Sequence, residues 1–308
     1  MSVTLAPVTH RLITVDGVEV FLRETGSPDA PAVLLPHGYP CSSFAYRQLM
    51  PALGDRWRLL APDLPGFGYS ATPDRAAFSY TFEGYAGFLE RFVETLGLER
   101  FAIWLHDYGS QFGLRLAMRA PQRVVALIIQ NGDIYEDELG PKYEWLKGYW
   151  GNPTPEAREQ LAANIGEAGF RDEFAGELPD HLAVRVSPDL WTLHWRLMDT
   201  PQRRENILGL FEDQATTLAD FPAQQAYLRE HQLPTLIVWG PRDGYMPEGS
   251  ARAYLRDLPD GELHLLDGGH WLLETNLDEV IPLVRDFLGR VHRSSTPSRD
   301  RSVHPRFP

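Results

Sequence analysis

The chain has one cysteine, Cys41, in 308 residues, which excludes any intramolecular disulfide and sets a reducing compartment as the expectation. Positive charge is scarce: 29 Lys and Arg face 42 Asp and Glu, a formal net charge of -13. A surface of that sign repels nucleic acid and anionic membrane, so neither is expected as a partner. No apolar run approaches the length of a membrane span, and the segment Met1 to Pro7 has no basic stretch followed by an apolar one. These absences predict a soluble, cytoplasmic protein whose partner is a small, mostly neutral organic molecule. Self-association into a homo-oligomer stays open. What is present is ordinary: 43% hydrophobic and 23% charged residues, enough apolar side chains for a sizeable core in one large or two ordinary domains.

Leu12 to Val15 and Val18 to Arg23, joined by Asp16-Gly17, read as a β-hairpin, because Asp-Gly supplies the positive φ angles of a two-residue turn. Continuous apolar runs follow at Ala32 to Leu35, Trp57 to Ala61, Phe101 to Leu105, Val124 to Ile129, Thr235 to Trp239 and Leu263 to Leu266. Runs without alternation suit parallel strands buried on both faces. Helix-like segments lie between them at Thr81 to Leu96, Gly109 to Arg119 and Ser250 to Leu258, so the pattern is a doubly wound α/β sheet. The alternation stops between about Gly132 and Phe221, where no strand is evident. Thr154 with Pro155, and Ser187 with Pro188, read as helix starts within a helical insertion. The expected division is a core of residues 1–133 and 217–290, a helical cap at 134–216 and a disordered tail at 291–308.

Chemistry concentrates where strands end. Asp107 stands at the turn between the run Ile103-Trp104-Leu105-His106 and the helix that begins at Tyr108 or Gly109. That strand-to-helix turn is where a nucleophile would be presented. His270, in Asp267-Gly268-Gly269-His270-Trp271, follows the last strand as a candidate base, and Asp243, in Trp239-Gly240-Pro241-Arg242-Asp243, follows the preceding strand as its orienting acid. His37-Gly38-Tyr39-Pro40 follows the first parallel strand and can turn the Tyr39 N–H, with that of Tyr108, toward an oxyanion. Plainer readings stand beside these. Asp107 can be a helix N-cap, Asp133 is a competing triad acid, and Asp267 belongs to a turn. Ser110 lacks the flanking glycines of a serine elbow, and His106 and His264 suit a core. The Gly66-Phe67-Gly68-Tyr69-Ser70-Ala71 run fails as a dinucleotide fingerprint because it does not open the first strand-helix unit.

With His37-Gly38-Tyr39-Pro40, Asp63-Leu64-Pro65-Gly66-Phe67-Gly68-Tyr69-Ser70, the aspartate elbow, Trp239-Gly240 with Asp243, and Gly269-His270, the chain resembles the α/β-hydrolase superfamily over about residues 12 to 290. The branch it resembles includes epoxide hydrolases and haloalkane dehalogenases. The resemblance implies an α/β-hydrolase fold with a helical cap and catalysis by Asp107, His270 and Asp243. Asp107 attacks a saturated carbon to form an alkyl ester, and water activated by His270 hydrolyses that ester with Tyr39 and Tyr108 N–H groups on the oxyanion. No metal or organic cofactor is required. Epoxide opening needs an acid from the roof, for which Tyr149 is the first candidate, with Tyr143 and His194 behind it; the late segment Phe211-Glu212-Asp213-Gln214 lacks a second tyrosine. Halide release instead needs N–H donors, and Tyr39 and Tyr108 stand where dehalogenases carry asparagine and tryptophan. Trp150, Trp191 and Trp195 are the substitutes, with His37 a further substrate-side candidate. Epoxide hydrolysis is the expected reaction, with haloalkane dehalogenation second. Ester or carbon-carbon bond hydrolysis, or ligand binding without turnover, are the remaining alternatives.

Overall fold

The computed structural model describes residues 5–295. Its centre is an eight-stranded sheet in the order β1-β2-β4-β3-β5-β6-β7-β8, built from β1 (Val8–Val15), β2 (Val18–Thr25), β3 (Ala32–Leu34), β4 (Arg58–Pro62), β5 (Phe101–His106), β6 (Val124–Gln130), β7 (Thr235–Trp239) and β8 (Glu262–Leu265). β1 and β2 form the expected hairpin, with Asp16 at φ 49° and Gly17 at φ 78°. β2 runs antiparallel to β4, and every later pairing is parallel. This is the α/β-hydrolase fold, a mostly parallel doubly wound sheet.

The apolar runs are continuous because the interior strands are covered twice. β5 is buried along its whole length: Phe101, Ile103 and Leu105 pack into the layer that contains Phe88, Phe92 and Phe112, while Ala102 and Trp104 face the layer with Tyr46, Leu49 and Phe287. Thr81 caps the helix Phe82–Thr95 by accepting from Gly84 N, and the C-terminal helix Leu277–Ser295 covers the opposite face. That helix runs five residues past the point where a tail was expected to begin. The remainder of the expected tail, 296–308, lies outside the described residues.

Between β6 and β7 come the helices Lys142–Gly151, Pro155–Ala163, Glu167–Ala175, Asp180–Ala183, Asp189–Met198 and Pro201–Asp213, with no strand. Thr154 caps the second of them, with Pro155 in its first turn. Ala215–His231 then returns to the core. Its Asp220 pairs with Arg115, and its Gln224 donates to Gln111 Oε1 at 2.8 Å, both partners on the helix Tyr108–Arg119. Arg203 ties the insertion to the loop after β4, donating to Gly68 O at 2.8 Å, Ser70 O at 2.7 Å and Thr72 Oγ1 at 2.8 Å. Among the described residues, no helix is long and apolar enough to cross a membrane.

Candidate active site

The sharp turn at the end of β5 puts Asp107 at φ 50°, ψ -136°, a conformation that costs a non-glycine residue about 1–3 kcal/mol unless its surroundings enforce it. They do so by close approach. A Cβ on Gly38 would lie 2.0 Å from Asp107 Oδ1, and one on Gly109 would lie 2.4 Å from Pro36 O. The loop after β3 can therefore reach the aspartate only because both positions are glycine. The carboxylate makes no helix-capping hydrogen bond. Instead Oδ1 accepts from Tyr39 N at 2.7 Å, and the Tyr108 N–H also supports the charge. Two backbone donors thus face the carboxylate, the arrangement an oxyanion would use.

The other oxygen, Oδ2, lies 3.2 Å from His270 Nε2. That nitrogen has no aligned hydrogen bond among the described residues, which leaves its lone pair or proton available to a water or reacting group. On the far side His270 Nδ1 meets Asp243 Oδ2 at 2.7 Å. Asp243 is held in turn: Asn131 Nδ2 donates to Oδ2 at 2.8 Å, and Tyr245 N and Met246 N donate to Oδ1 at 2.9 and 3.0 Å. Asp133 makes no such contact. Its carbonyl accepts from Gln111, and its Oδ2 has no partner among the described residues, so the acid placed against the imidazole is Asp243.

The charges depend on one another. Burial disfavours an imidazolium, but Asp243 first and then Asp107 outweigh it and raise His270 to about 10. Burial also disfavours both carboxylates, yet contact with His270 keeps Asp107 and Asp243 below the usual carboxylate range. His106, its ring tilted against that of His270 at a separation of 4.6 Å, stays neutral because burial and the His270 charge push it down to about 3.

Above Asp107 opens a cavity of about 480 Å³. Tyr39, Tyr108, Tyr143 and Tyr245 line it, together with Glu173, and the apolar wall is Leu146, Leu161, Phe211 and Met246. Most of the expected substrate-side residues lie off this wall. His37 is buried, with Nδ1 at 2.9 Å from Gly38 O and Nε2 accepting from Leu64 N at 2.9 Å. The Tyr149 hydroxyl donates to Glu212 at 2.8 Å, and the Trp150 indole to Phe211 O at 2.9 Å. His194 is used up by Leu190 O and Ser42 Oγ. Trp195 packs its face against Phe170, and Trp191 sits under Arg171. Position within the insertion does not set helix rotation, and one residue along a helix turns a side chain by about 100°. Tyr143 does reach the cavity; Glu173, Gln214 and Tyr245 carried no sequence signal of their own. Among the described residues no group of three His, Cys, Asp or Glu is placed to hold a metal ion.

A strained aspartate elbow under two backbone donors, with an Asp-paired histidine against it, defines a hydrolase-type site on an α/β sheet. The α/β hydrolase fold family model matches residues 31–277, and the chain belongs to that family. It is 33% identical to an uncharacterised hydrolase of Saccharomyces cerevisiae over 89% of this chain and 96% of that one. It is 26% identical to a haloalkane dehalogenase of Mesorhizobium japonicum, covering 94% of each. A haloalkane dehalogenase structure from Bradyrhizobium elkani shares the fold at a TM-score of 0.76, with 24% identity over 94% of this chain and all of that one. An epoxide hydrolase structure does so at 0.74, with 20% identity over 92% of this chain and all of that one. The protein is a hydrolase of the α/β-hydrolase family.

Proposed function

We propose that the chain hydrolyses epoxides to diols through an alkyl ester on Asp107, with the helical insertion at 134–216 acting as its cap. The observation that carries this choice is the cavity wall: four tyrosines surround the space over Asp107, whereas the nearby indole N–H groups are spent on backbone. Trp150 donates to Phe211 O, Trp271 to Glu173 O and Trp239 to Met246 O. Trp145, the tryptophan in the wall, stacks on Tyr149 and is 43% exposed. An oxygen leaving group needs an acidic proton, which the hydroxyl and carboxyl groups of this wall carry, while three of the indoles that could grip a halide donate to backbone instead.

In the first step an Asp107 oxygen attacks a ring carbon in line, the C–O bond breaks, and the ring oxygen is protonated from the wall. In the second, His270 takes a proton from water and the hydroxide adds to the Asp107 carbonyl carbon, with Tyr39 and Tyr108 N–H groups on the oxyanion. Alkylation itself prepares the base. Neutralising Asp107 as an ester removes one of the two charges that hold His270 near 10, so the imidazolium can lose its extra proton to solvent and then, as neutral imidazole, take one from water. The haloalkane dehalogenase relative keeps halide release as the second reading.

The test is His270→Gln mixed with a panel of epoxides and alkyl halides, followed by intact mass and peptide mapping. The expected result is an epoxide adduct on the Asp107 peptide and diol from the unsubstituted enzyme. Bound, reactive substrate with no change in protein mass rejects the ester; halide release without diol formation rejects the substrate class.

A further inference from the structure

Glu173 has no part in the reaction as stated. It sits on the helix Glu167–Ala175 and meets Tyr245 in the wall above Asp107, where the Tyr245 hydroxyl donates to Glu173 Oε1 at 3.2 Å. Both residues are fixed to the catalytic pair through backbone. The Trp271 indole, next to His270 in sequence, donates to Glu173 O at 2.9 Å, and Tyr245 N donates to Asp243 Oδ1 at 2.9 Å. Glu173 also borders a small space shared with His270 and Trp271. The carboxyl is thus presented to the same cavity as the nucleophile, from the side where the base lies.

Three of the four tyrosine hydroxyls in the wall already have partners. Tyr108 donates to Gln214 Oε1 at 2.8 Å. The Tyr143 hydroxyl accepts from Gln214 Nε2 at 3.3 Å. The Tyr245 hydroxyl donates its hydrogen bond to Glu173. A carboxylic acid at Glu173 is a wall group with a proton to lose, and it has beside it a hydroxyl placed to receive the charge left behind. Burial favours this neutral form and raises Glu173 to about 7, with Asp107 adding to the rise while Lys142, His270 and the Tyr245 hydroxyl oppose it.

We propose that Glu173, braced by Tyr245, is the acid that protonates the oxygen leaving the attacked carbon; this rests on the epoxide reading and names its proton source. The atoms balance. Asp107 carboxylate, epoxide and Glu173 carboxylic acid give the hydroxyalkyl ester and Glu173 carboxylate, stabilised by the Tyr245 O–H. In ester hydrolysis, one proton of water passes through His270 to the second alcohol. The hydroxyl remains on Asp107 as a carboxylic acid, whose proton returns to Glu173.

The experiment is the rate of epoxide adduct formation, by quenched intact mass, in His270→Gln across pH 5 to 9, alone and combined with Glu173→Gln or Tyr245→Phe. With His270 alone replaced, the rate should fall as pH rises through a value somewhat above 7, because the imidazolium that opposed protonation is gone. Adding Glu173→Gln should slow adduct formation at pH 6 by about 10²-fold, the low end for a lost general acid, and flatten the profile. Adding Tyr245→Phe should move the falling limb to higher pH, because the carboxylate loses its donor. A merely structural contact would not move that limb, so this variant decides the matter even if Glu173→Gln folds poorly. Adduct formation at unchanged rate and pH profile in both combinations overturns the role of Glu173 while the epoxide reading stands. No adduct in His270→Gln overturns the epoxide reading and this inference together.

Discussion

The floor and the roof of the cavity are built by different means. On the floor, each group is set by a strand end: Asp107 by β5, Asn131 by β6, Asp243 by β7 and His270 by β8. Their positions are fixed by backbone hydrogen bonds and by neighbours that leave no room for a Cβ. The roof is a set of helices joined by side-chain contacts, such as Arg158 to Glu205 and Glu212, Arg203 to the loop after β4, and Tyr149 to Glu212. A scaffold of the first kind fixes its groups through backbone; one of the second kind is joined by contacts that can be changed one side chain at a time.

Substitutions on the floor should therefore cost the most. Asp107→Gly is expected to lower kcat/KM on the order of 10⁴-fold or more, since no neighbouring group can form the ester. The same change should raise the melting temperature, because glycine accepts φ 50° without the penalty of about 1–3 kcal/mol an aspartate carries. A thermal melt with an activity assay checks both directions, and a less stable variant would mean that the turn is not strained. His270→Gln comes next, with turnover reduced about 10²–10⁴-fold through the second step while the first proceeds.

This contrast also explains what the sequence could show. Strand ends were legible because a parallel strand buried on both faces leaves an unbroken apolar run, and the residues just beyond it must face the crevice. Asp107, Asp243, His270 and the Tyr39 loop were placed on that ground. The roof was legible only as helical. Whether Tyr143 or Tyr149 looks inward depends on helix rotation, set by contacts such as Glu212 and Phe211 far along the chain. Glu173 was invisible for a further reason: a glutamate on an amphipathic helix usually faces water, and only the fold shows this one in the cavity wall.

Asp243→Asn should have a smaller effect than loss of the base, and a different one. Replacing the carboxylate removes the largest influence raising His270, so the imidazole should titrate well below 10. The sign for stability follows: the ion pair contributes fully below the unfolded histidine value near 6.5 and is lost as pH rises through about 10. Melting curves of the unsubstituted protein should decline between those limits, and those of Asp243→Asn should be flatter there. A parallel decline in both proteins would assign it to other groups.

On the roof, Arg203→Ala tests anchorage without touching the chemistry. Its guanidinium holds three carbonyls and a hydroxyl, and a charged hydrogen bond is worth about 1.5–3 kcal/mol, part of which water restores in a half-exposed site. The expected result is a several-fold rise in KM, with the rate of ester formation at saturating epoxide nearly unchanged. Faster amide exchange should be confined to the insertion, and exchange spreading into β5 or β7 would show that floor and roof unfold as one unit.

The smallest expected effect separates two tyrosines six residues apart on one helix. Tyr149→Phe removes a hydroxyl whose partner is Glu212, behind the wall, so kcat/KM should change less than about twofold while stability falls by about 1 kcal/mol, the net worth of one hydrogen bond. Tyr143→Phe removes a hydroxyl at the wall itself, and through Gln214 it loosens Tyr108, which follows Asp107. A severalfold loss of activity is expected there for a comparable loss of stability. Equal kinetic penalties at both positions would mean that the helix Lys142–Gly151 is rotated in solution, bringing Tyr149 to the substrate.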